Sequence, residues 1–253
     1  MFATRMAILF AALAVPMFGC SQSPSEQAAD RRRADQLVQQ LRDFPASLGP
    51  EISSNGSSIP QEAQRRRLYA QLRELGARAL PALARGLGDP DVQVRRNVAL
   101  FLAAAAGGWY DMNQRRLDIT ACLSALITAL KDGDARVRQL AAQAIGEIGH
   151  RAAPAVPDLV ALLADPDEGS RNSACIGLAG IGSAATEAIP ALQRALKDPS
   201  ADVRRFAQQT IYKIEAGSVV LTLVKAAVVA GCLAAAFALF WVAVVQPRRR
   251  STV

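Results

Sequence analysis

Few side chains in this sequence have the types and spacing that enzyme chemistry requires. His150 is the only histidine, and because it follows the helix-ending Gly149 we interpret it as a surface turn residue. Cys122 and Cys175 fall on predicted helices, where a buried free thiol is the default, although an exported compartment would also permit a disulfide. The sequence has no glycine-rich phosphate loop and no nucleophile elbow. We therefore predict no catalytic residue, no metal ligand and no cofactor.

A repeated combination of aspartate and arginine is the more regular chemical pattern. An Asp opens four similar stretches, and an Arg follows each Asp by six residues. The aspartates are Asp89, Asp132, Asp165 and Asp198, and the arginines are Arg95, Arg138, Arg171 and Arg204. We predict that each Asp caps the helix that follows it, and we expect each Arg to bond an Asp or a carbonyl of an adjacent turn. A charged row that binds a ligand is the alternative.

The stretches around these residues predict pairs of helices. Two leucines spaced by four residues precede each Asp, so they share one face of a first helix. A proline eight residues before three of the aspartates suits the first turn of that helix, at Pro81, Pro157 and Pro190. Valine, alanine, leucine and isoleucine at helical spacing follow each Asp and predict a second helix. The step from Asp132 to Asp165, and again to Asp198, is 33 residues, which is typical of stacked repeats. Each pair can bury only one stripe, so it needs neighbours on both sides.

This pattern resembles HEAT repeats, in the short form also found in phycobilisome-lyase-like proteins. The resemblance depends on the Asp-Pro-x-x-x-Val-Arg pattern, the leucine pair and the small and apolar residues that follow, and it covers about 61–215. The third unit departs from it, with Ser170 in place of valine. The resemblance implies an all-α, right-handed α-solenoid over 61–216 whose extended surface binds other proteins, and it implies no single chemistry.

The N-terminal residues 1–19 predict a secretory signal peptide. Arg5 precedes an apolar run that is too short to span a bilayer, and Gly19-Cys20 then resembles a bacterial lipobox. Cys20 is thus the predicted lipid attachment site, and cleavage after Ala14 is the alternative. Residues 20–60 predict a polar tether that could include one helix, over 28–44, with Leu37, Val38 and Leu41 as its thin apolar face. Residues 61–75 predict a further helix that caps the stack, with Leu68, Leu72 and Leu75 on one face and Arg65, Arg66 and Arg67 on the side that faces water.

The C-terminal residues 218–245 predict a transmembrane helix, because twenty of them are enough to cross the hydrocarbon core. A basic tail over 246–253 follows, with arginines at positions 248–250. Since positive flanks stay cytoplasmic, the predicted location is a bacterial inner membrane, with the C-terminus inside and the repeats outside. The signal peptide predicts the same orientation independently.

The net charge of +7 first suggests a nucleic-acid partner. All 22 acidic residues lie between Glu26 and Glu215, whereas five of the 29 basic residues lie outside that range, next to the predicted membrane segments. The repeat region is therefore nearly neutral, and we expect no nucleic acid as a partner.

Two sets of residues are candidates for contact with a protein partner. Trp109 and Tyr110 lie where the step between units grows by ten residues, and insertions in solenoids often reach a binding face. The alternative is a ring pair that covers the widened gap. The second set occupies positions seven and eleven after each Asp, and a solvated face is its alternative role. Its members are Arg96, Gln139, Asn172, Arg205, Gln143 and Gln209.

Together these features predict a membrane-anchored, extracytoplasmic scaffold that binds another protein. One alternative is an enzyme subunit, since similar repeats occur in bilin lyases and in DNA glycosylases. The other is a sensor that relays an outside event through the single span, which would need a membrane partner because the predicted tail is too short to fold.

Overall fold

The computed structural model describes residues 23–44, 60–107 and 116–218. The predicted signal peptide and Cys20 lie outside these residues, as do Trp109, Tyr110 and the predicted span beyond residue 218. Those assignments stay predictions.

The described residues form α-helices joined by 3-10 turns, and they contain no β-strand. The helices are α1 (Pro24–Gln40), α2 (Pro60–Leu75), α3 (Leu80–Gly86), α4 (Val92–Gly107), α5 (Leu123–Ala129), α6 (Ala135–Ile148), α7 (Val156–Leu162), α8 (Glu168–Ile181), α9 (Ile189–Ala195) and α10 (201–218). The 3-10 turns are Leu41–Asp43, Gly76–Ala79, Thr120–Cys122, Gly149–Ala155 and Gly182–Ala188. The expected all-α fold is confirmed.

The helices alternate between short first helices and long second helices, as the repeat pattern predicts. A proline occupies the first turn of α3, α7 and α9, where its missing N–H costs nothing. These are the predicted prolines Pro81, Pro157 and Pro190. The second helices stack side by side, with α6 packed between α4 and α8. The hydroxyl of Thr210 donates to the carbonyl of Cys175 at 3.1 Å and places α10 next in the row.

The core follows the predicted stripes along the whole stack. The first leucine of each pair is fully buried, as are the first inward-facing valines of three second helices. These residues are Leu83, Leu126, Leu159, Leu192, Val94, Val137 and Val203. Burial of one leucine side chain contributes about 1.5–3 kcal/mol, so the repeated leucines are a main source of stability.

Glycines set the close approach of α6 and α8. A Cβ added to Gly180 would lie 2.3 Å from the carbonyl oxygen of Gly146. A Cβ on Gly177 would lie 2.8 Å from the carbonyl oxygen of Ala142. Both distances are below contact distance, so any larger residue would force the two backbones apart.

The prediction that the repeat aspartates cap the second helices is wrong. The N-cap of α6 is Asp134, which accepts from the amide of Val137 at 3.1 Å. Asp132 lies in the preceding turn, where its side chain accepts from the amide of Asp134 at 2.8 Å. In the next unit Asp167, two residues after the repeat aspartate, caps α8. The chain must turn before the second helix begins, and the first carboxylate stabilises that turn while the second caps the helix.

Helix α1 covers the N-terminal end of the stack. Its predicted apolar face, Leu37 and Val38 with Leu41 just beyond the helix, is buried, and α1 packs on α3. The buried side-chain amide of Asn97 donates to the carbonyl of Leu41 at 2.9 Å and to that of Phe44 at 2.7 Å. This part of the predicted tether is therefore a packed cap.

Helix α2 lies where the sequence predicted it, with the expected leucines Leu68, Leu72 and Leu75 buried. Arg65 was expected on the wet side of this helix, and that expectation is wrong, because its side chain is only 2% exposed. Its guanidinium lies 6.0 Å from the ring centroid of Tyr69, so packing against an aromatic face accounts for part of the burial.

One helical run in the described part of the chain, Glu168–Ala195, is long and apolar enough by composition to cross a membrane. It combines α8, a 3-10 turn and α9, and Gly182 interrupts it at a φ of 70°. Cys175, Leu178 and Leu192 within it are buried in the core of the stack. The run is therefore weak evidence for a span.

Candidate protein-binding surface

The first row of polar contacts links each repeat to the next. The Arg95 side chain donates from Nε to Asp132 Oδ2 at 2.7 Å and from Nη2 to Asp132 Oδ1 at 3.1 Å. Its Nη1 donates to the backbone carbonyl of Asp89 at 2.8 Å. One guanidinium therefore fixes its own turn and holds the turn of the following unit. This is the structural role that the sequence predicted for the arginine column.

The same contact recurs along the row. Arg138 donates to Asp165 at 2.8 Å, and Arg171 donates to both oxygens of Asp198 at 2.8 and 3.0 Å. These pairs are largely buried. The hydrogen bond from Arg171 holds the pKa of Asp198 below its usual range and raises the pKa of Arg171. Pairs that are buried and bidentate hold their geometry better than exposed ion pairs.

A second row lies beside the first and uses two of the predicted partner-binding residues. Arg96 Nε donates to Asp134 Oδ1 at 2.9 Å, and Gln139 Nε2 donates to Asp167 Oδ2 at 2.8 Å. The bond from Arg96 is the main cause that lowers the pKa of Asp134. At Asp167, burial acts to raise the pKa, and hydrogen bonds from Gln139 and Ser170 outweigh it, so the pKa is lowered. Arg96 and Gln139 are thus engaged within the stack.

The other predicted polar column borders a groove of about 570 Å³ between α6, α8 and α10. Gln143 and Gln209 both line it, so the structure brings these two candidates together. Gln143 Nε2 donates to Ser173 Oγ at 3.4 Å, whereas its Oε1 has no partner in the described part of the chain. Asn172 lies on the same helix as Ser173, and its Oδ1 also lacks a partner among the described residues.

The groove also contains an apolar residue that sequence reasoning missed. Ile176 lines it and is 38% exposed, whereas most large apolar side chains in the described ranges are buried or partly buried. It occupies position eleven after Asp165, the same column as Gln143 and Gln209. Selecting only polar residues from that column excluded it.

The floor and rim of the groove differ in chemistry. Gly146, Gly180 and Phe206 add backbone and ring surface near Ile176. Charges of both signs stand at the rim, where Arg116 and Glu147 are 3.8 Å apart and Lys213 lies nearby. An extended chain could place an apolar side chain on the floor and bond its backbone to the glutamine amides.

Arg205, the remaining described candidate, does not itself line the groove. Its Nη2 donates to Asp202 Oδ1 at 2.9 Å, and its guanidinium lies 5.1 Å from the ring centroid of Phe206. Both partners of this ion pair are more than half exposed.

The two described cysteines are free and buried, as expected for structural thiols. Burial raises the pKa of Cys122 to about 11 and that of Cys175 to about 12. Since the thiolate is the reactive form, neither thiol is suited to nucleophilic chemistry. No group of three or more metal-binding side chains occurs in the described ranges.

Comparison with known proteins supports a repeat fold. The family described as HEAT repeats matches residues 120–228. A comparison with curated proteins found no match. The complex of CpcE and CpcF of phycocyanin lyase from Nostoc sp. PCC7120 matches at 19% identity and a TM-score of 0.54, covering 71% of this chain and 98% of that chain. An engineered protein matches at 21% identity and a TM-score of 0.50, covering 78% and 95%.

At this identity the two structures show a shared fold and nothing about a ligand. A designed armadillo repeat protein in complex with the peptide (KR)4 also matches, at 22% identity and a TM-score of 0.48, covering 76% of this chain and 90% of that chain. The described residues are thus a stack of helical repeats, and over 120–228 the sequence is similar to HEAT repeats.

Proposed function

We propose that this protein is a scaffold that binds another protein in the groove between α6, α8 and α10. It has no catalytic activity of its own in this proposal. A second part of the proposal places the scaffold at a bacterial inner membrane, with its repeats on the extracytoplasmic side.

The exposed Ile176 is the observation that carries the binding part. Apart from Tyr212 at the end of the stack, Ile176 is the exposed large apolar side chain among the described residues, and it faces a groove of about 570 Å³. The Gln143 amide beside it retains an acceptor oxygen without a partner in the described residues. Recognition sites usually combine an apolar contact with surrounding polar groups that can form hydrogen bonds to the partner. We therefore expect a segment of the partner to cover Ile176.

The membrane part is supported by the sequence. Residues 1–19 have the pattern of an export signal, and residues 218–245 are apolar enough for a span. Helix α10 runs to residue 218, so a span that begins there would hold the last repeat close to the bilayer surface. The groove borders α10 and would then face the space just outside the membrane.

Site-specific crosslinking tests the binding part. A photoreactive residue at Gln209, in the groove, is compared with the same residue at Gln193, which is exposed on the first helix α9. We expect a defined protein adduct from position 209 and little from position 193. An added Ile176→Asp change should remove the adduct without altering the helical circular dichroism. Equal adducts from both positions, or an adduct that Ile176→Asp leaves intact, would contradict the proposal.

Labelling in intact cells tests the orientation. A cysteine introduced as Glu187→Cys lies on an exposed part of the stack, whereas the native Cys122 and Cys175 are buried. We expect a membrane-impermeant maleimide to label the variant in intact spheroplasts at the level reached after lysis, with the parent chain as the background. Labelling only after lysis would place the repeats in the cytoplasm.

A further inference from the structure

The C-terminal end of the described stack carries an arginine pair that repeats an internal one. Arg204 and Arg205 on α10 occupy positions six and seven after Asp198, as Arg95 and Arg96 do after Asp89. Among the four described units, only the first and the last have arginine at both positions.

Within the stack, this pair binds a turn with two carboxylates. Arg95 holds Asp132 through two hydrogen bonds of 2.7 and 3.1 Å, and Arg96 holds Asp134 through Nε at 2.9 Å and a second bond from Nη2. The two aspartates are separated by Gly133 alone. Two adjacent arginines therefore match an Asp-x-Asp turn, with one carboxylate for each guanidinium group.

At the end of the stack the same pair lacks such a turn in the part of the chain that the structure describes. Arg204 Nη1 donates to the carbonyls of Asp198 and Pro199 at 2.7 and 2.8 Å, and it has no carboxylate partner there. Arg205 pairs only with Asp202 of its own helix, in an exposed contact. No Asp or Glu follows Glu215 in the sequence, so residues 216–253 supply no side-chain carboxylate.

The same face of α10 carries an aromatic ring. Tyr212 is 73% exposed and stands where the preceding units have Ala179, Gly146 and Ala103. Those small residues let second helices approach closely, so a further repeat of this kind could not pack on Tyr212 in the same register. A partner on this face must instead bind Arg204 and Arg205 and also cover the ring of Tyr212.

We propose that Arg204, Arg205 and Tyr212 form an end-face site for an acidic turn of a partner protein. In this site two aspartates, two residues apart, bind the two guanidinium groups, and Tyr212 packs on the partner beside them. None of these three residues lines the groove around Ile176, although Arg205 contacts Phe206 at its border, and neither proposal depends on the other.

A peptide from this chain provides the probe, because its turn at 132–134 already binds an equivalent arginine pair, Arg95 and Arg96. A fluorescein-labelled peptide of residues 130–137, LKDGDARV, is titrated with the full chain in detergent and followed by anisotropy. A matched peptide has asparagine at both aspartate positions. We expect the aspartate peptide to bind about tenfold more tightly, and the Arg204→Ala/Arg205→Ala variant to lose that preference, since each half-exposed charged pair contributes a few-fold.

Two further variants keep the result interpretable. In the control variant, which we call the α9 variant, Arg194→Ala/Lys197→Ala removes one exposed positive charge from α9 and one from the turn that follows it, and its Kd should change less than twofold. Arg204→Lys/Arg205→Lys keeps the charge but loses the paired geometry, so it should bind nearly as weakly as the alanine variant. Thermal unfolding of each variant checks that the helices remain folded.

Several outcomes would overturn the proposal. One is equal affinity for the aspartate and asparagine peptides, including no measurable binding of either. Another is equal weakening by the α9 variant, which would indicate general charge attraction. Vesicles of phosphatidylglycerol and phosphatidylcholine form a separate arm. Binding to anionic vesicles that requires Arg204 and Arg205, without any peptide preference, would identify lipid headgroups as the ligand and reject the acidic turn.

Discussion

Removal of Arg171 should destabilise the stack far more than removal of Arg204, although the two arginines are equivalent by position. Arg171 makes two hydrogen bonds to Asp198 and two to the carbonyls of its own turn. Within the described residues, Arg204 makes two bonds to carbonyls and none to a carboxylate. The difference between Arg171→Ala and Arg204→Ala therefore isolates the link between two repeats.

The magnitude follows from what Arg171→Ala leaves behind. The Arg171 and Asp198 side chains are 14% and 8% exposed, so the variant would strand a nearly buried carboxylate. Breaking a buried pair in this way costs about 3–5 kcal/mol. The amide of Ser200 still donates to Asp198 at 2.8 Å, and some water can reach the turn, so we expect the lower end of that range. Arg204→Ala, on an exposed turn, should cost less than about 1 kcal/mol.

Urea unfolding followed by far-ultraviolet circular dichroism measures the two free energies of unfolding. The slope of the transition must be compared as well, because a stack can lose cooperativity when one link is weakened. The double variant Arg171→Ala/Asp198→Asn removes the stranded charge and should recover part of the loss. If Arg171→Ala costs no more than Arg204→Ala, the inter-repeat ion pair does not stabilise the fold and the reasoning is wrong.

Three other predictions can be tested by measurements on the purified protein. Asp134 and Asp198 have lowered pKa values in the folded state. Their contribution to the free energy of unfolding is therefore complete above about pH 4 and is lost as the pH falls through those folded-state pKa values. Asparagine at both positions should make the free energy of unfolding less dependent on pH in this acid range. Gly180→Ala should lower the Tm and cost about 1–3 kcal/mol, because its Cβ would lie 2.3 Å from the facing carbonyl. Cys122 and Cys175 should react with a thiol reagent only after denaturation.

The helix pairs could be predicted because each depends on local spacing. Residues a few positions apart were enough to predict the leucine pairs and the first-turn prolines. They were also enough to predict that each arginine of the column bonds an aspartate or a carbonyl of a turn. The aspartate caps could not be assigned in the same way. Asp132 and Asp134 are both suitable N-cap residues, and only the backbone path into α6 decides which one caps. Sequence spacing cannot separate two equivalent carboxylates two positions apart.

The sequence could not predict which side chains are buried by segments that lie far away along the chain. Helix α1 is mostly polar, and its thin apolar face becomes a cap only because Gly86 leaves room for Val38, where a Cβ would lie 2.8 Å from Val38 Cγ1. Asn97 then satisfies the carbonyls that end the segment. Ile176 shows the reverse case, an apolar side chain left exposed because the groove opens beside it.

The groove is preformed because its two central helices are fixed at both ends. Near their N-terminal ends, Arg138 and Gln139 bind Asp165 and Asp167 of the next turn. Near their C-terminal ends, the contact between Gly146 and Gly180 leaves no room for a side chain. A pair of helices held at two points cannot easily change its separation, so a partner would not have to order this surface as it binds. Less of the interaction free energy is then lost to ordering, and a small apolar contact at Ile176 can suffice for recognition.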